Sequence, residues 1–251
     1  MQTAAVATGI GNTLGNKGGV ALRCSVGSTS LLFVNAHLSA HQHAVAQRNA
    51  DFHRIEAQLP LQPAGRVSMR QRLEAPLSER GFDALVWLGD LNYRVELERE
   101  QVDALLARPA SEPSWAARRD ELLAHDQLRR QMSTGKAFAG FAEGDISFRP
   151  TYKFDRRQHG AYDLSEKRRV PAYTDRVLSR SRGGGAGGIA CVRYDSCEAL
   201  DTSDHRPVLA EFTVRCVVDA ALLQAVLSDS GVAWPDVAAR NHTRTVGAGN
   251  V

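Results

Sequence analysis

The sequence predicts an α+β protein, in which hairpins and helices are interspersed. Two predicted strands near the N-terminus are separated only by a short turn, which is typical of a hairpin. Later strands are separated by helical segments or by loops, without a strict strand–helix repeat. The 251 residues include 43% hydrophobic and 24% charged side chains, as in ordinary globular proteins.

The N-terminal half is predicted to form a hairpin, a helix and a further strand, over residues 19–26 with 30–37, 42–59 and 82–88. Residues 31–34 are continuously apolar, as in a strand buried on both faces. Apolar residues recur at helical spacing before Pro60, which ends the helix. Residues 60–80 are polar and predict a loop. No strand is predicted ahead of the glycine-rich segment at residues 9–19.

The C-terminal half is predicted to contain helices and short strands, over residues 96–107, 116–132, 177–178, 189–194, 207–217 and 219–228. Pro109 and Pro113 separate the first two helices, and Asp219 is the predicted N-cap of the last one. The Gly- and Ser-rich residues 179–188 predict a flexible loop. We expect one domain over residues 1–230, followed by a flexible tail over 231–251.

Positive charge is concentrated in one segment. The formal net charge is only +3, but ten arginines and lysines fall within residues 149–182. Such a segment suits a polyanionic ligand, such as nucleic acid, anionic lipid or a phosphorylated small molecule, and equally suits a solvated loop. No stretch reaches the roughly 18 apolar residues of a membrane-spanning helix.

Three polar clusters lie at the ends of predicted strands, two directly after a strand and one directly before a strand. They contain His37, Asp90 with Asn92, and Asp204 with His205. Alone, Asp90 with Asn92 is about equally well explained as a turn that ends the strand, and Asp204 with His205 is slightly better explained as a turn and a strand start. Together they supply oxygen ligands for a divalent cation, a group to activate water and donors for developing charge, which phosphoester hydrolysis requires. No GxSxG motif of acyl transfer is present.

Five segments resemble the inositol polyphosphate 5-phosphatase family. They are GNKGGVALR at 15–23, FVNAHLSAH at 33–41 with RNAD at 48–51, WLGDLNYR at 87–94, PTYKFD at 150–155 with KRRVPAYTDRVL at 167–178, and SDHRPV at 203–208. The WxGDxNxR and RxPAYTDR patterns distinguish this family within its superfamily. The resemblance implies a DNase I-like fold, a four-layered α/β sandwich of two central sheets flanked by helices.

The resemblance also implies a role for each motif residue. Asp90 would orient or deprotonate the attacking water, Asn92 would donate to a phosphoryl oxygen, His37 and His205 would contact the scissile phosphate, Asp175 would partner His205, and Asp204 would lie near Mg²⁺ as a metal ligand. Tyr152, Lys153, Lys167 and Arg169 would hold the 4-phosphate, and Asn16 and Lys17 would lie near the 1-phosphate.

The implied activity is Mg²⁺-dependent removal of the 5-phosphate from phosphoinositides or soluble inositol polyphosphates. We expect a cytoplasmic protein with peripheral membrane contact and no nucleic-acid partner. The family's opening strand and its Gln-Glu segment, which supplies the principal metal ligand, have no counterpart ahead of Gly15. We therefore expect the N-terminal strands to be missing and this chain to be inactive or nearly so. A non-catalytic phosphoinositide-binding protein and a nuclease of the same superfamily are the alternatives.

Overall fold

A computed structural model describes residues 1–9, 11, 15–61, 76–182, 188–218 and 243–249. The strands are β1 (Gln2–Ala7), β2 (Gly18–Val26), β3 (Thr29–His37), β4 (Ala84–Asp90), β5 (Ala142–Glu143), β6 (Asp175–Ser181), β7 (Ile189–Ser196), β8 (Val208–Arg215) and β9 (Thr243–Gly249). The helices are α1 (Val45–Gln58), α2 (Arg99–Leu106), α3 (Trp115–Ala124) and α4 (Gln127–Ser133), with a 3₁₀ helix at Leu77–Glu79.

The strands form two sheets. One has the order β1-β2-β3-β4-β6-β5, and the other has the order β7-β8-β9. The β2–β3 hairpin is antiparallel, as predicted, whereas β3 and β4 run parallel. In this register His37 lies opposite Asp90, and Asp90 lies opposite Asp175. The polar groups of three neighbouring strands, β3, β4 and β6, therefore meet where these strands end on one side of the larger sheet.

The two faces of β4 pack into two separate hydrophobic clusters. Ala84, Val86 and Leu88 face the smaller sheet and join the cluster that includes residues of β7 and β8. Leu85 and Trp87 point the opposite way, toward α1. This alternation follows from the two-residue repeat of a strand. The described residues thus form a mixed α+β sandwich, with α1 on one face of the larger sheet and the smaller sheet on the other.

Several N-terminal boundaries differ from the prediction. Strand β1 precedes the glycine-rich segment and pairs antiparallel with β2, so the prediction that no strand lies there was wrong. Helix α1 begins at Val45, because the chain from His41 to Ala44 forms a turn first, closed by the Ala44 N–H on the His41 carbonyl at 3.3 Å. Strand β4 extends to Asp90, two residues further than predicted. Within the predicted loop over 60–80, a 3₁₀ helix forms at Leu77–Glu79 and residues 62–75 lie outside the described part.

The C-terminal half differs mainly in its helices and its tail. The predicted helix over 116–132 is two helices, because the Asp126 side chain caps α4 by accepting the Arg129 N–H at 3.0 Å. Strand β9 forms within the predicted tail and pairs with β8. The predicted helix over 219–228 lies outside the described residues, as do residues 183–187 of the Gly-rich loop. Among the helices of the described part, none is long and apolar enough to cross a membrane.

Candidate active site

His37 and Asp90 form the first part of the site, where β3 and β4 end side by side. Nε2 of His37 lies 3.1 Å from Oδ2 of Asp90 and also contacts the amine of Lys17. A ring nitrogen holds either a proton or a lone pair, so Nε2 can donate to Asp90 or accept from Lys17. Burial lowers the pKa of the Lys17 amine, and the charge of Asp90 opposes this. About half of the His37 side chain (51%) is exposed, so a ligand can reach it.

Asn92 is turned inward beneath Asp90. Its backbone has a positive φ of 57°, which brings its N–H to Oδ1 of Asp90 at 3.0 Å. Its amide donates both to the Leu38 carbonyl at 3.0 Å and to Oδ2 of Asp90 at 3.1 Å. Both amide hydrogens are therefore engaged, and only 3% of the residue is exposed. Asn92 orients Asp90 in this structure, and its role as a donor to a phosphoryl oxygen stays a prediction.

His205 and Asp175 form the second part of the site, and the structure contains their predicted contact. Nδ1 of His205 lies 2.9 Å from Oδ2 of Asp175. The hydroxyls of Thr151 and Thr174 donate to the same oxygen at 2.9 Å each. Burial disfavours the imidazolium, but the hydrogen bond to Asp175 and the nearby negative charges hold the pKa of His205 above its usual 6.5. With Nδ1 engaged, Nε2 is the nitrogen that can face a substrate.

Tyr152 and Arg94 connect the two parts. The ring of Tyr152 packs on that of His205, with 4.6 Å between centroids. The guanidinium of Arg94 lies 4.5 Å from the Tyr152 ring centroid and donates from Nε to the Asn92 carbonyl at 3.0 Å. Arg94 was not predicted as a site residue. Its signal in the sequence was a cation two positions after Asn92, at the end of a buried strand.

Asp204 lies in the wall of a cavity that contains charges of both signs. Its Oδ1 is 2.7 Å from Nη2 of Arg156, and its Oδ2 is 4.0 Å from Nζ of Lys153. Burial raises the pKa of Asp204, but the hydrogen bond from Arg156, a backbone hydrogen bond and the nearby positive charges together hold the pKa below its ordinary value. The cavity has a volume of about 760 Å³, and the charged residues of its wall are three cations and three carboxylates, Lys153, Arg156, Arg157, Asp155, Asp163 and Asp204.

The predicted substrate-binding residues fall into separate places. Asn16 and Lys17 line a second cavity, of about 630 Å³, and Lys153 lines the cavity beside Asp204. Lys167 is exposed and is not part of the wall of either cavity. The backbone of Arg169 is held by its N–H donating to Asp163 at 3.0 Å. Lys17 therefore contacts His37 and Lys153 lies near Asp204, whereas neither Lys167 nor Arg169 lines either of these two cavities.

The described residues contain no group of three His, Cys, Asp or Glu side chains that could hold a metal ion. Mg²⁺ in phosphate-handling sites is commonly bound by one or two carboxylates, substrate phosphates and water. Asp204 supplies hard oxygen donors of this kind, at 21% side-chain exposure. The chemistry of Asp204 therefore suits a divalent cation, of which this carboxylate would be one ligand and water or substrate phosphates would be the others.

Comparisons with known proteins identify the family of this chain. The sequence model of the Endonuclease/Exonuclease/phosphatase family 2 matches residues 1–211. The chain is 37% identical over 237 residues to the type II inositol 1,4,5-trisphosphate 5-phosphatase of Mus musculus, covering 91% of this chain and 21% of that protein. It is 39% identical over 215 residues to the human phosphatidylinositol polyphosphate 5-phosphatase type IV, covering 86% and 32%.

The fold is also similar to that of a solved structure. The inositol polyphosphate 5-phosphatase domain of SPsynaptojanin, crystallised with inositol (1,4)-bisphosphate and a calcium ion, superposes with a TM-score of 0.68 and 33% identity. The match covers 91% of this chain and 59% of that one. This chain spans about a fifth to a third of the length of the two curated relatives above.

Proposed function

Because this chain belongs to the endonuclease/exonuclease/phosphatase family 2, we propose that it hydrolyses a phosphomonoester, removing the 5-phosphate from a phosphoinositide or a soluble inositol polyphosphate. The observation that carries the proposal is the geometry of the His37–Asp90 pair and the His205–Asp175 pair at one end of the strands of the larger sheet, beside a cavity lined by three cations and three carboxylates. The relatives named as 5-phosphatases support the same substrate class.

Asp90 is the group that orients the attacking water and accepts its proton. Asn92 holds both carboxylate oxygens of Asp90 in place, so the carboxylate need not reorganise when water binds. His37 lies beside Asp90 and is exposed enough to contact the phosphate. A carboxylate with a fixed direction and a neighbouring donor is a suitable general base for phosphate chemistry.

His205 stabilises the charge that develops on the phosphate oxygens. Asp175 holds Nδ1 and raises the pKa of the ring, although burial opposes this. A protonated His205 then presents Nε2–H to the phosphate, as a donor that is already positioned. Tyr152 packs on the ring and restricts its rotation.

A divalent cation supplies further charge neutralisation on the phosphate oxygens when it is bound. We propose Mg²⁺ for this role, with Asp204 as the residue of this chain that holds it. Lys153, Tyr152, Lys167 and Arg169 hold the neighbouring 4-phosphate in this proposal, and Asn16 and Lys17 contact the 1-phosphate. Because the substrate includes lipid headgroups, we also propose peripheral contact with membranes from the cytoplasm, without a nucleic-acid partner.

The test is phosphate release measured with malachite green. Vesicles that contain PtdIns(4,5)P2 should release phosphate in the presence of Mg²⁺, whereas vesicles that contain PtdIns(4)P should not. Asp90→Asn is the matched variant, because it keeps the shape of the side chain and removes the base.

A companion measurement separates the alternatives. Calorimetric binding of inositol 1,4,5-trisphosphate without any phosphate release, unchanged in Asp90→Asn, would favour a non-catalytic binding protein. Cleavage of abasic DNA that is insensitive to Lys167→Ala would favour a nuclease. The proposed function fails if the chain neither binds inositol 1,4,5-trisphosphate nor releases phosphate from it.

A further inference from the structure

Arg156 forms an ion pair with Asp204, the carboxylate that the proposed function assigns to the divalent cation. Its Nη2 lies 2.7 Å from Oδ1 of Asp204, while Nζ of Lys153 lies 4.0 Å from Oδ2. One oxygen of Asp204 is thus bonded to a cationic side chain, and the other lies near a second one. A divalent cation and Arg156 are therefore alternative partners for Oδ1.

The backbone around Arg156 is fixed, whereas its side chain is not. Oδ1 of Asp155 accepts the N–H of Arg157 at 2.7 Å, and the N–H of Asp155 donates to the Ala161 carbonyl at 2.8 Å. The side chain of Arg156, however, is 69% exposed. The guanidinium can consequently change partner by rotation of its own side chain, without movement of the loop.

The other carboxylates of the cavity are already satisfied by backbone donors. Asp155 accepts the N–H of Arg157, and Asp163 accepts the N–H groups of Ser165 and Arg169 at 3.1 and 3.0 Å. These bonds help to hold the pKa of Asp155 and of Asp163 below its ordinary value, although burial opposes the shift. An anion that enters the cavity is thus a better new partner for Arg156 than either carboxylate.

We propose that Arg156 is a specificity-determining residue that exchanges partners, bonding Asp204 in the free protein and a ring phosphate of the substrate in the complex. The inference rests on the proposed function. A phosphate offers the guanidinium two parallel hydrogen bonds, whereas the carboxylate of Asp204 receives one. Departure of Arg156 leaves Oδ1 free for the divalent cation, so substrate and cation strengthen each other's binding.

The experiment compares Arg156→Ala with the matched control Arg157→Ala. Both residues line the cavity, but only Arg156 contacts Asp204. Mn²⁺ binding to the substrate-free protein is followed by electron paramagnetic resonance. Arg156→Ala should tighten Mn²⁺ binding about two- to fivefold, because an exposed competing ion pair is lost. Arg157→Ala should leave the Mn²⁺ affinity unchanged.

Inositol 1,4,5-trisphosphate binding provides the second readout. Calorimetry in the presence of Mg²⁺ should show on the order of tenfold weaker binding for Arg156→Ala, because a charge-assisted bidentate contact is lost. Arg156→Lys should lie in between, since lysine keeps the charge without the planar fork. A role in structure alone would not improve cation binding while weakening substrate binding.

The outcomes distinguish a failure of the Arg156 exchange from a failure of the proposed function. If the wild-type chain binds inositol 1,4,5-trisphosphate but Arg156→Ala shows unchanged or weaker Mn²⁺ binding, the exchange is refuted and the proposed function stands. The exchange is refuted likewise if Arg156→Ala binds inositol 1,4,5-trisphosphate as tightly as the wild type. If the wild-type chain does not bind it at all, the proposed function fails, and the exchange fails with it.

Discussion

Replacing Arg176 by methionine should unfold the protein at a markedly lower temperature. The guanidinium is fully buried and bonds two carboxylates, Asp126 at 2.9 Å and Glu143 at 2.6 Å. Although burial opposes the charge, these carboxylates hold the pKa of Arg176 well above its ordinary value. The Asp126 side chain is also completely buried. The variant would therefore leave a carboxylate without its cation in the interior.

The expected cost is about 3–5 kcal/mol, the usual loss when one member of a buried ion pair is removed. For a chain of this size that corresponds to a fall in Tm on the order of 10 °C. Differential scanning calorimetry measures it. The matched control is Arg182→Met, at an exposed position paired with Asp83 at 3.7 Å, which should change stability by less than about 0.5 kcal/mol.

The pH dependence of the Arg176→Met variant tests the physical cause. A buried carboxyl without a cation has a raised pKa in the folded state, so it destabilises the fold while ionised and ceases to do so once protonated. The difference from the wild type should therefore shrink as the pH is lowered from about 7 to about 5. A difference that grows at low pH, or a cost no larger than that of Arg182→Met, would refute the reasoning.

Three further changes have defined outcomes. Asp175→Asn removes the main charge that raises the pKa of His205, so burial should pull that pKa below 6.5, which an NMR titration of the ring protons checks. In the wild type, the raised pKa of His205 stabilises the fold at low pH, and this contribution is lost as the pH rises. In the variant the dependence should reverse, so that protonation of His205 at low pH destabilises the fold. Gly89→Ala places a methyl group 2.0 Å from the Ala36 carbonyl oxygen at a φ of +128°, and urea denaturation should show a loss of at least about 2 kcal/mol. Lys153→Ala should weaken calorimetric binding of inositol 1,4,5-trisphosphate roughly tenfold at low salt, with a smaller difference at high salt; equal affinities at low salt would contradict the role given to this lysine.

The strands of the larger sheet were predictable where their residues are continuously apolar. The run ahead of Asp90 and the run at 31–34 indicate burial on both faces, and both are strands. Strand β1 was missed because QTAAVA contains a single large apolar residue, Val6. Its conformation is set by backbone pairing with β2, which residue types alone do not reveal. The break between α3 and α4 likewise depends on Asp126, whose partner Arg176 lies 50 positions away.

The residue types of the site were predictable from the sequence, whereas the orientations of their side chains were less so. Sequence motifs identified His37, Asp90 and His205, and the register of the strands places the first two opposite each other. The inward turn of Asn92 depends on a backbone φ of 57°, and a non-glycine residue adopts such a value only in a particular context. The bond from Arg156 to Asp204 was not predictable either, because it joins two loops 48 residues apart.

The bond between His205 and Asp175 has a consequence for folding. Asp175 is the first residue of β6 in the larger sheet, and His205 lies three residues before β8 in the smaller one. The bond therefore exists only while the two sheets are docked, and the titration of a single imidazole reports on that docking. If the smaller sheet separates first on heating, the ring of His205 should return to the titration of a free histidine before the larger sheet loses its circular dichroism. The proposed phosphatase activity would then be lost before the secondary structure.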